Sequence, residues 1–377
     1  MFFHQTCKIR FAKDKKSLNL LGEIRSSGGM HSLLTIFKSK TSSRNLKLVA
    51  ALAVSYLFTS FTDRAGLTVG HLGLRIAECL RFILNAKELT DDSELNRTDI
   101  VQSATLAVTH LWLNLLEPAL SGTLTLALTR QGRNSKQKDS LDSLKHVTSR
   151  FTKRGDKWNG PLEIQELHET TISLIVDIGQ IIMSEGFSKG NIENMNIYET
   201  LRNNAACAIE SICTLEHARP IAVRVGLLPV LVQWIDSNNI DLQRPAANAL
   251  RNLTKPNDEY VAGWIHSQIV NEGALSSIVQ LSASNALDIR LSVAQILKSL
   301  TIAPHTRAAI VDAKGIKYIV QLLVNSSEHS VEHEKIFLAA ASSLLQLGAN
   351  AIKYSRGWTP DDIESVISLH RRDDVIK

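Results

Sequence analysis

Cysteine is scarce in this chain of 377 residues: there are four, Cys7, Cys79, Cys207 and Cys213. None forms a C-x-x-C pair, and Cys207 and Cys213 fall inside a helical pattern. That excludes a disulfide framework and reads as buried free thiols in a reducing compartment. Aromatic residues are also few, at 5%, as expected where Ala and Leu fill thin helix-on-helix layers. The tryptophans Trp112, Trp158, Trp234, Trp264 and Trp358 are scattered, so they form no stacking platform for nucleic acid, and Trp234 and Trp264 are expected in the core. The longest apolar run, Leu48 to Phe58, has 11 residues and includes Ser55, too short to span a bilayer. No Gly-rich phosphate loop, nucleophile elbow or kinase motif is present.

The net charge is a mild +5, and it is unevenly placed. Between Thr129 and Pro161 nine basic residues stand against three acidic ones, a local +6 that leaves −1 for the rest of the chain. The protein as a whole is therefore no basic nucleic-acid binder. The stretch 130–160 is polar and basic and reads as a flexible loop or insertion, since it buries too little apolar surface to offset the entropy of ordering. The alternatives for it are a docking arm for acidic partners or a nuclear-import signal around Lys153 and Arg154. The N-terminus carries Lys8, Arg10, Lys13, Lys15 and Lys16 among Phe2, Phe3 and Phe11. Asp14 and the absence of an amphipathic period argue against a mitochondrial presequence. The expected location is cytoplasmic, with the nucleus and the mitochondrion as alternatives.

What is present is a repeat. In DLQRPAANALRNLT, Ala246, Ala249, Leu250 and Leu253 fall at i, i+3, i+4 and i+7, one side of a helix. The spacing recurs at Ala205, Ala208, Ile209 and Ile212, at Val293, Ile296, Leu297 and Leu300, and at Ala340, Ser343, Leu344 and Leu347. The markers Ile209, Leu250, Leu297 and Leu344 step by 41, 47 and 47 residues, a period that signals stacked helical units. Gly226, Gly273 and Gly315 precede the second helix of successive units and are expected at one and the same tight joint. If Asp241 caps the third helix, Pro245 lies in its first turn, where a missing N–H is little loss. Ser42 or Ser43 is expected to cap the helix that follows, and Thr359 with Pro360 to open a closing helix over 360–370.

GLLPVLVQWIDSNNIDLQRPAANALRNLT, with NEGALSSIVQLSASNALDIRLSVAQILKSLT and AKGIKYIVQLLVNSSEHSVEHEKIFLAAASSLLQLG, resembles the armadillo repeat family; two-helix HEAT repeats are the rival. The likeness is clear over 198–348, with a further copy at 28–58. It implies an all-α fold, a right-handed armadillo-type superhelix of about six to seven three-helix repeats. The expected division is N-terminal repeats over 1–129, the loop 130–160, and C-terminal repeats over 161–377. The copy at Gly28 begins one helix short of a full repeat, as a fragment of a longer array also would.

The resemblance further implies that the third helices line a concave groove holding an extended peptide. The Asn of the family's third-helix "NL" position, which hydrogen-bonds ligand backbone, corresponds to Asn252, with Ser211, Ser299 and Gln346 as its equivalents. One turn earlier the column runs Cys207, Asn248, Gln295 and Ser342. Import adaptors of the family carry Trp in that column and this chain has none, which argues against gripping of basic signals. The column either satisfies a ligand's backbone or faces water. Arg244 and Arg251 add positive charge, continued by Lys298 and interrupted by Glu210 and Leu345.

The expected function is non-catalytic: a scaffold or adaptor binding a protein or extended peptide segment, with no cofactor, metal, small-molecule substrate or nucleic acid. A chaperone resembling the armadillo-containing myosin chaperones is the alternative, marked by binding of unfolded client. A zinc hydrolase is the remote one, because His329, Glu332 and His333 fit H-x-x-E-H, with Glu364 as a distant third ligand. That motif straddles a loop and a helix start with Ser330 near the N-cap, which leaves His329 outside the helix.

Overall fold

The computed structural model describes residues 27–59, 71–86, 97–112, 162–184, 192–255, 259–325 and 330–354. Every regular element among them is a helix, and no peptide bond there is cis. The loop 130–160 and the closing helix 360–370 lie outside the described residues. The chain divides into two compact units, Met1–Ser211 and Ile212–Lys377.

In the first unit, α1 (Gly29–Lys38) packs on α2 (Arg44–Thr59), and α2 packs on α3 (His71–Leu84) and α4 (Arg97–Leu111). Ser43 caps α2, accepting the Leu46 N–H on Oγ at 3.2 Å. The stripe Ala50, Ala53, Val54 and Leu57 is buried, as its spacing requires. The next helix, α5 (Leu162–Ser184), packs on α3 and α4. The sequence reading grouped α5 with the C-terminal repeats, because the basic stretch precedes it. Chain length between two helices does not decide whether they touch. Trp112 is fully buried, stacks on His168 with ring centroids 5.3 Å apart, and donates from Nε1 to Ser211 Oγ at 3.0 Å. Ser211 stands in α6 (Ile192–Thr214). Cys79 and Cys213 are buried free thiols, whereas Cys207 is exposed, correcting the expectation that it is buried.

The second unit shows the repeat three times. The first triplet is α7 (Arg219–Arg224), α8 (Leu227–Asp236) and α9 (Ile240–Leu253). The second is α10 (Glu259–Asn271), α11 (Ala274–Gln280, running into a 3-10 turn Leu281–Ala283) and α12 (Leu287–Ile302). The third is α13 (Pro304–Asp312), α14 (Gly315–Val324) and α15 (Val331–Tyr354), the last broken at Gly348 by φ +41° and ψ −141°. Like packs on like: α7 on α10 and α10 on α13, α8 on α11 and α11 on α14, α9 on α12 and α12 on α15. The core is the predicted one, with Ala246, Ala249, Leu250, Leu253 and their equivalents Val293, Ile296, Leu297 and Leu300 buried, and Trp234 fully so. Trp264 is half-buried.

Three local features go beyond the sequence reading, and the first two correct it. Asn239, not Asp241, caps α9: its side chain accepts the Asp241 N–H at 2.9 Å. Both residue types cap well, so composition does not separate them. Pro245 therefore lies inside the helix, where it offers no N–H to the carbonyl four residues back. That carbonyl belongs to Asp241, an exposed residue. Second, the left-handed joint falls on Gly226 (φ +92°) and Gly273 (φ +70°), but in the third triplet on Lys314 (φ +60°). Gly315 is the first residue of α14, and a Cβ there would lie 2.6 Å from Ile310 Cγ2 and 2.7 Å from its carbonyl oxygen. Its glycine serves close approach, not a turn.

Third, the carbonyl ends of successive long helices are tied down by the helix that follows. Arg219 donates to the Cys213 and Thr214 carbonyls at 2.8 and 3.3 Å, and Arg307 to those of Thr301 and Ile302 at 2.8 and 3.1 Å. Between them His266 Nε2 lies 3.1 Å from the Thr254 carbonyl. Cys213, Thr254 and Thr301 are repeat equivalents, at the same steps of 41 and 47. Cationic or polar donors suit these orphan carbonyls at the negative helix end.

Candidate partner-binding face

α9 and α12 run parallel, because Arg244 pairs with Asp288 and, one turn on, Ser292 Oγ donates to Asn248 Oδ1 at 3.0 Å. α12 and α15 are joined by Thr301 Oγ1 donating to Gln346 Oε1 at 2.7 Å. These cross-helix bonds set the three long helices side by side. Their buried stripes turn inward, so the remaining positions of the same register form one outward face. On α9 that face carries Arg244, Asn248 and Arg251, with Lys255 two residues past the helix end. On α12 the equivalent positions are Leu291, Gln295, Lys298 and Ile302. On α15 they are Leu338, Ser342 and Leu345. Each of these residues is half-buried or exposed.

The structure brings Asn248, Gln295 and Ser342 together as the midline of this face. Asn248 keeps its amide nitrogen unengaged, since only its Oδ1 is bonded, and Gln295 and Ser342 have no hydrogen-bond partner among the described residues. Ser299 is half-buried beside this midline. Gln346 is partly committed through Thr301. Asn252 lies deeper, only 2% exposed, and its Oδ1 is buried without a hydrogen-bond partner. An unpaired buried acceptor costs about 1–3 kcal/mol, so Asn252 is a weak point of the fold unless a donor reaches it. Ser211 belongs to the first unit, where its hydroxyl is engaged by Trp112.

Charge on the face is graded. Arg244 is neutralised by Asp288, an exposed pair. Arg251, Lys255 and Lys298 have no ion pair among the described residues. The Lys255 ammonium is held below its ordinary pKa, first by burial and then by the neighbouring Arg251 and Arg219. Lys255 and Leu338 escaped the sequence reading. Lys255 lies two residues past the end of α9, and Leu338 lies a heptad before Leu345, the residue that was compared. Carrying the 47-residue register past the ends of the motif would have found both.

Of the H-x-x-E-H motif, His329 and Glu364 lie outside the described residues. Glu332 is exposed. His333 is buried and its Nδ1 lies 2.7 Å from Ser330 Oγ, which also accepts the His333 N–H at 3.3 Å. That is a helix N-cap. Among the described residues no three His, Cys, Asp or Glu are grouped so as to hold a metal ion. Among them, too, no helix is long and apolar enough to cross a membrane.

A family model described as "Armadillo/beta-catenin-like repeat" matches residues 216–255. That span holds α7, α8 and α9. The chain is 29% identical over 130 residues to Vacuolar protein 8 of Schizosaccharomyces pombe, an alignment covering 34% of this chain and 22% of that protein. The chain thus spans about a fifth of that relative's length. Among solved structures it is similar to the designed armadillo repeat protein YIII(Dq)4CqI, at 15% identity and a TM-score of 0.40, over 84% of this chain and 98% of that one. A second designed armadillo repeat protein, solved in complex with the peptide (KR)4, gives 14% identity and a TM-score of 0.40, over 83% and 98%.

Proposed function

From an all-α chain of armadillo-type fold, with residues 216–255 matching the armadillo/beta-catenin-like repeat, we propose a non-catalytic scaffold that holds a segment of a partner protein along the outward face of α9, α12 and α15. The observation that carries this reading is the midline of that face. Asn248 and Gln295 stand on adjacent parallel helices, and the described residues leave the Asn248 amide nitrogen and the whole Gln295 amide unengaged. An extended backbone presents N–H and C=O groups that need partners on both sides. Side-chain amides donate and accept, so they suit it whatever its sequence.

One designed armadillo repeat protein is solved in complex with the peptide (KR)4. The arrangement here has a different surface, basic on α9 and apolar on α15. The test is affinity capture from native lysate, comparing the unaltered chain with Asn248→Ala/Gln295→Ala. Loss of one discrete partner, with helicity by circular dichroism unchanged, is the expected result. An unchanged set of partners would move the site away from this face.

A further inference from the structure

Within the partner-binding reading, on which this rests, we infer that the partner segment is acidic at one end and apolar at the other, with its acidic residues over α9 and its apolar side chains over α15. Three observations point to this. Arg251 on α9, Lys255 just past its end and Lys298 on α12 lack counter-charges among the described residues, while Asp288, one turn before this face, is used by Arg244. At the same register on α15 stand Leu338 and Leu345, 57% and 68% exposed. The crossing from one to the other passes Gln295 and Lys298, so the face changes character in a single direction.

Each part of that gradient has a chemical counterpart. Carboxylates over Arg251 and Lys255 would offset the like charges of Arg251 and Arg219 that, after burial, lower the Lys255 pKa. Large apolar side chains over Leu338 and Leu345 would remove exposed apolar surface from water. Neighbouring helices pack about 8–10 Å apart, so α9 and α15 are separated by roughly 16–20 Å. An extended chain crosses that distance in about five or six residues. The segment is therefore an acidic cluster and an apolar cluster about that far apart, with a backbone between them passing Asn248 and Gln295. Nucleic acid matches the cationic part alone, since a phosphate backbone offers nothing to Leu338 and Leu345.

The experiment is selection of random 12-residue peptides displayed on phage against the full chain, followed by fluorescence anisotropy with the enriched peptides. It is repeated on Arg251→Gln/Lys255→Gln, on Leu338→Ser/Leu345→Ser and on Asn248→Ala/Gln295→Ala. The account expects peptides with Asp or Glu separated by about five residues from Leu, Ile or Phe. It expects each of the first two variants to weaken binding by about tenfold or more, and rising salt to weaken it further through the acidic end. Peptides that depend on Asn248 and Gln295 but lack this pattern, or are basic, would overturn the inference and leave the groove reading standing. A single-stranded oligonucleotide bound more tightly than the peptides through Arg251 and Lys255 would overturn it as well. Peptides indifferent to all three variants, or no enrichment at all, would count against both readings.

Discussion

At the scale of single residues, Lys314 and Gly315 make a sharp comparison. Lys314 holds φ at +60°, where the Cβ of an L-residue is strained, while the equivalent joints use glycine. Lys314→Gly is expected to stabilise the protein by about 1 kcal/mol, less the entropy glycine adds to the unfolded chain. Gly315→Ala should do the reverse, because the new methyl meets the Ile310 backbone at 2.7 Å. Urea unfolding followed by circular dichroism measures both, and a stabilising Gly315→Ala would contradict the packing described. The sequence placed the joint at Gly315 because glycine is the usual left-handed residue, and nothing local marks a lysine as taking that role. Asn239 against Asp241 is the same kind of ambiguity, two good caps two residues apart. Ser211 differs: its hydroxyl meets Trp112, 99 residues away, and no periodicity encodes such a pair.

At the scale of elements, much more was legible. The stripes at i, i+3, i+4 and i+7 are the buried ones in α2, α9 and α12, because burial of a helix face follows from 3.6-residue geometry alone. The side-by-side order of α9, α12 and α15 followed from the repeat. The ties on their carbonyl ends did not, because nothing in the repeat pattern marks Arg219, His266 or Arg307 as a donor to the helix before it. His266 gives this device a pH dependence. Its Nε2 must carry the hydrogen, since the Thr254 carbonyl only accepts, and Nδ1 is buried without a partner. Burial lowers its pKa first, and His305 on α13 acts in the same direction, while the bond to Thr254 opposes them. Among the elements packed on α10, α7 contributes Arg219 and Arg224, α13 contributes His305, Arg307 and Asp312, and α11 has no titratable residue.

The folded state thus keeps His266 neutral below the ordinary value of 6.5, where the unfolded chain binds a proton. Stability contributed here is present at neutral pH and is lost as pH falls from 6.5 toward the lowered folded value. His217, also lowered chiefly by burial, adds to the loss. Asp177 in the first unit, raised by burial, acts in the opposite sense. The readout is therefore the difference between the unaltered chain and His266→Gln, whose amide still donates to Thr254 without titrating. Thermal unfolding should show the two nearly equal at pH 7.5 and the glutamine variant ahead at pH 5.5. An equal loss in both would show that His266 titrates normally.

At the scale of the whole molecule, the second unit is three copies of one triplet, and each third helix adds a row to a common face. Function in such an array comes from rows that differ in chemistry on a repeating frame. Here the frame was readable from the 47-residue step. The gradient from Arg251 and Lys255 to Leu338 and Leu345 required side-chain exposure and the pairing of Arg244 with Asp288.

The central claim is that this face receives the partner. The direct measurement is photo-crosslinking with benzoylphenylalanine installed at Gln295 on α12 or, as control, at exposed Gln280 at the end of α11. Both positions are tested in cells, and adducts are read by gel shift and mass spectrometry. The account predicts one discrete protein adduct at position 295, lost on adding Arg251→Gln/Lys255→Gln, and none of that mass at 280. An adduct of equal yield at 280, or none at 295, would contradict it.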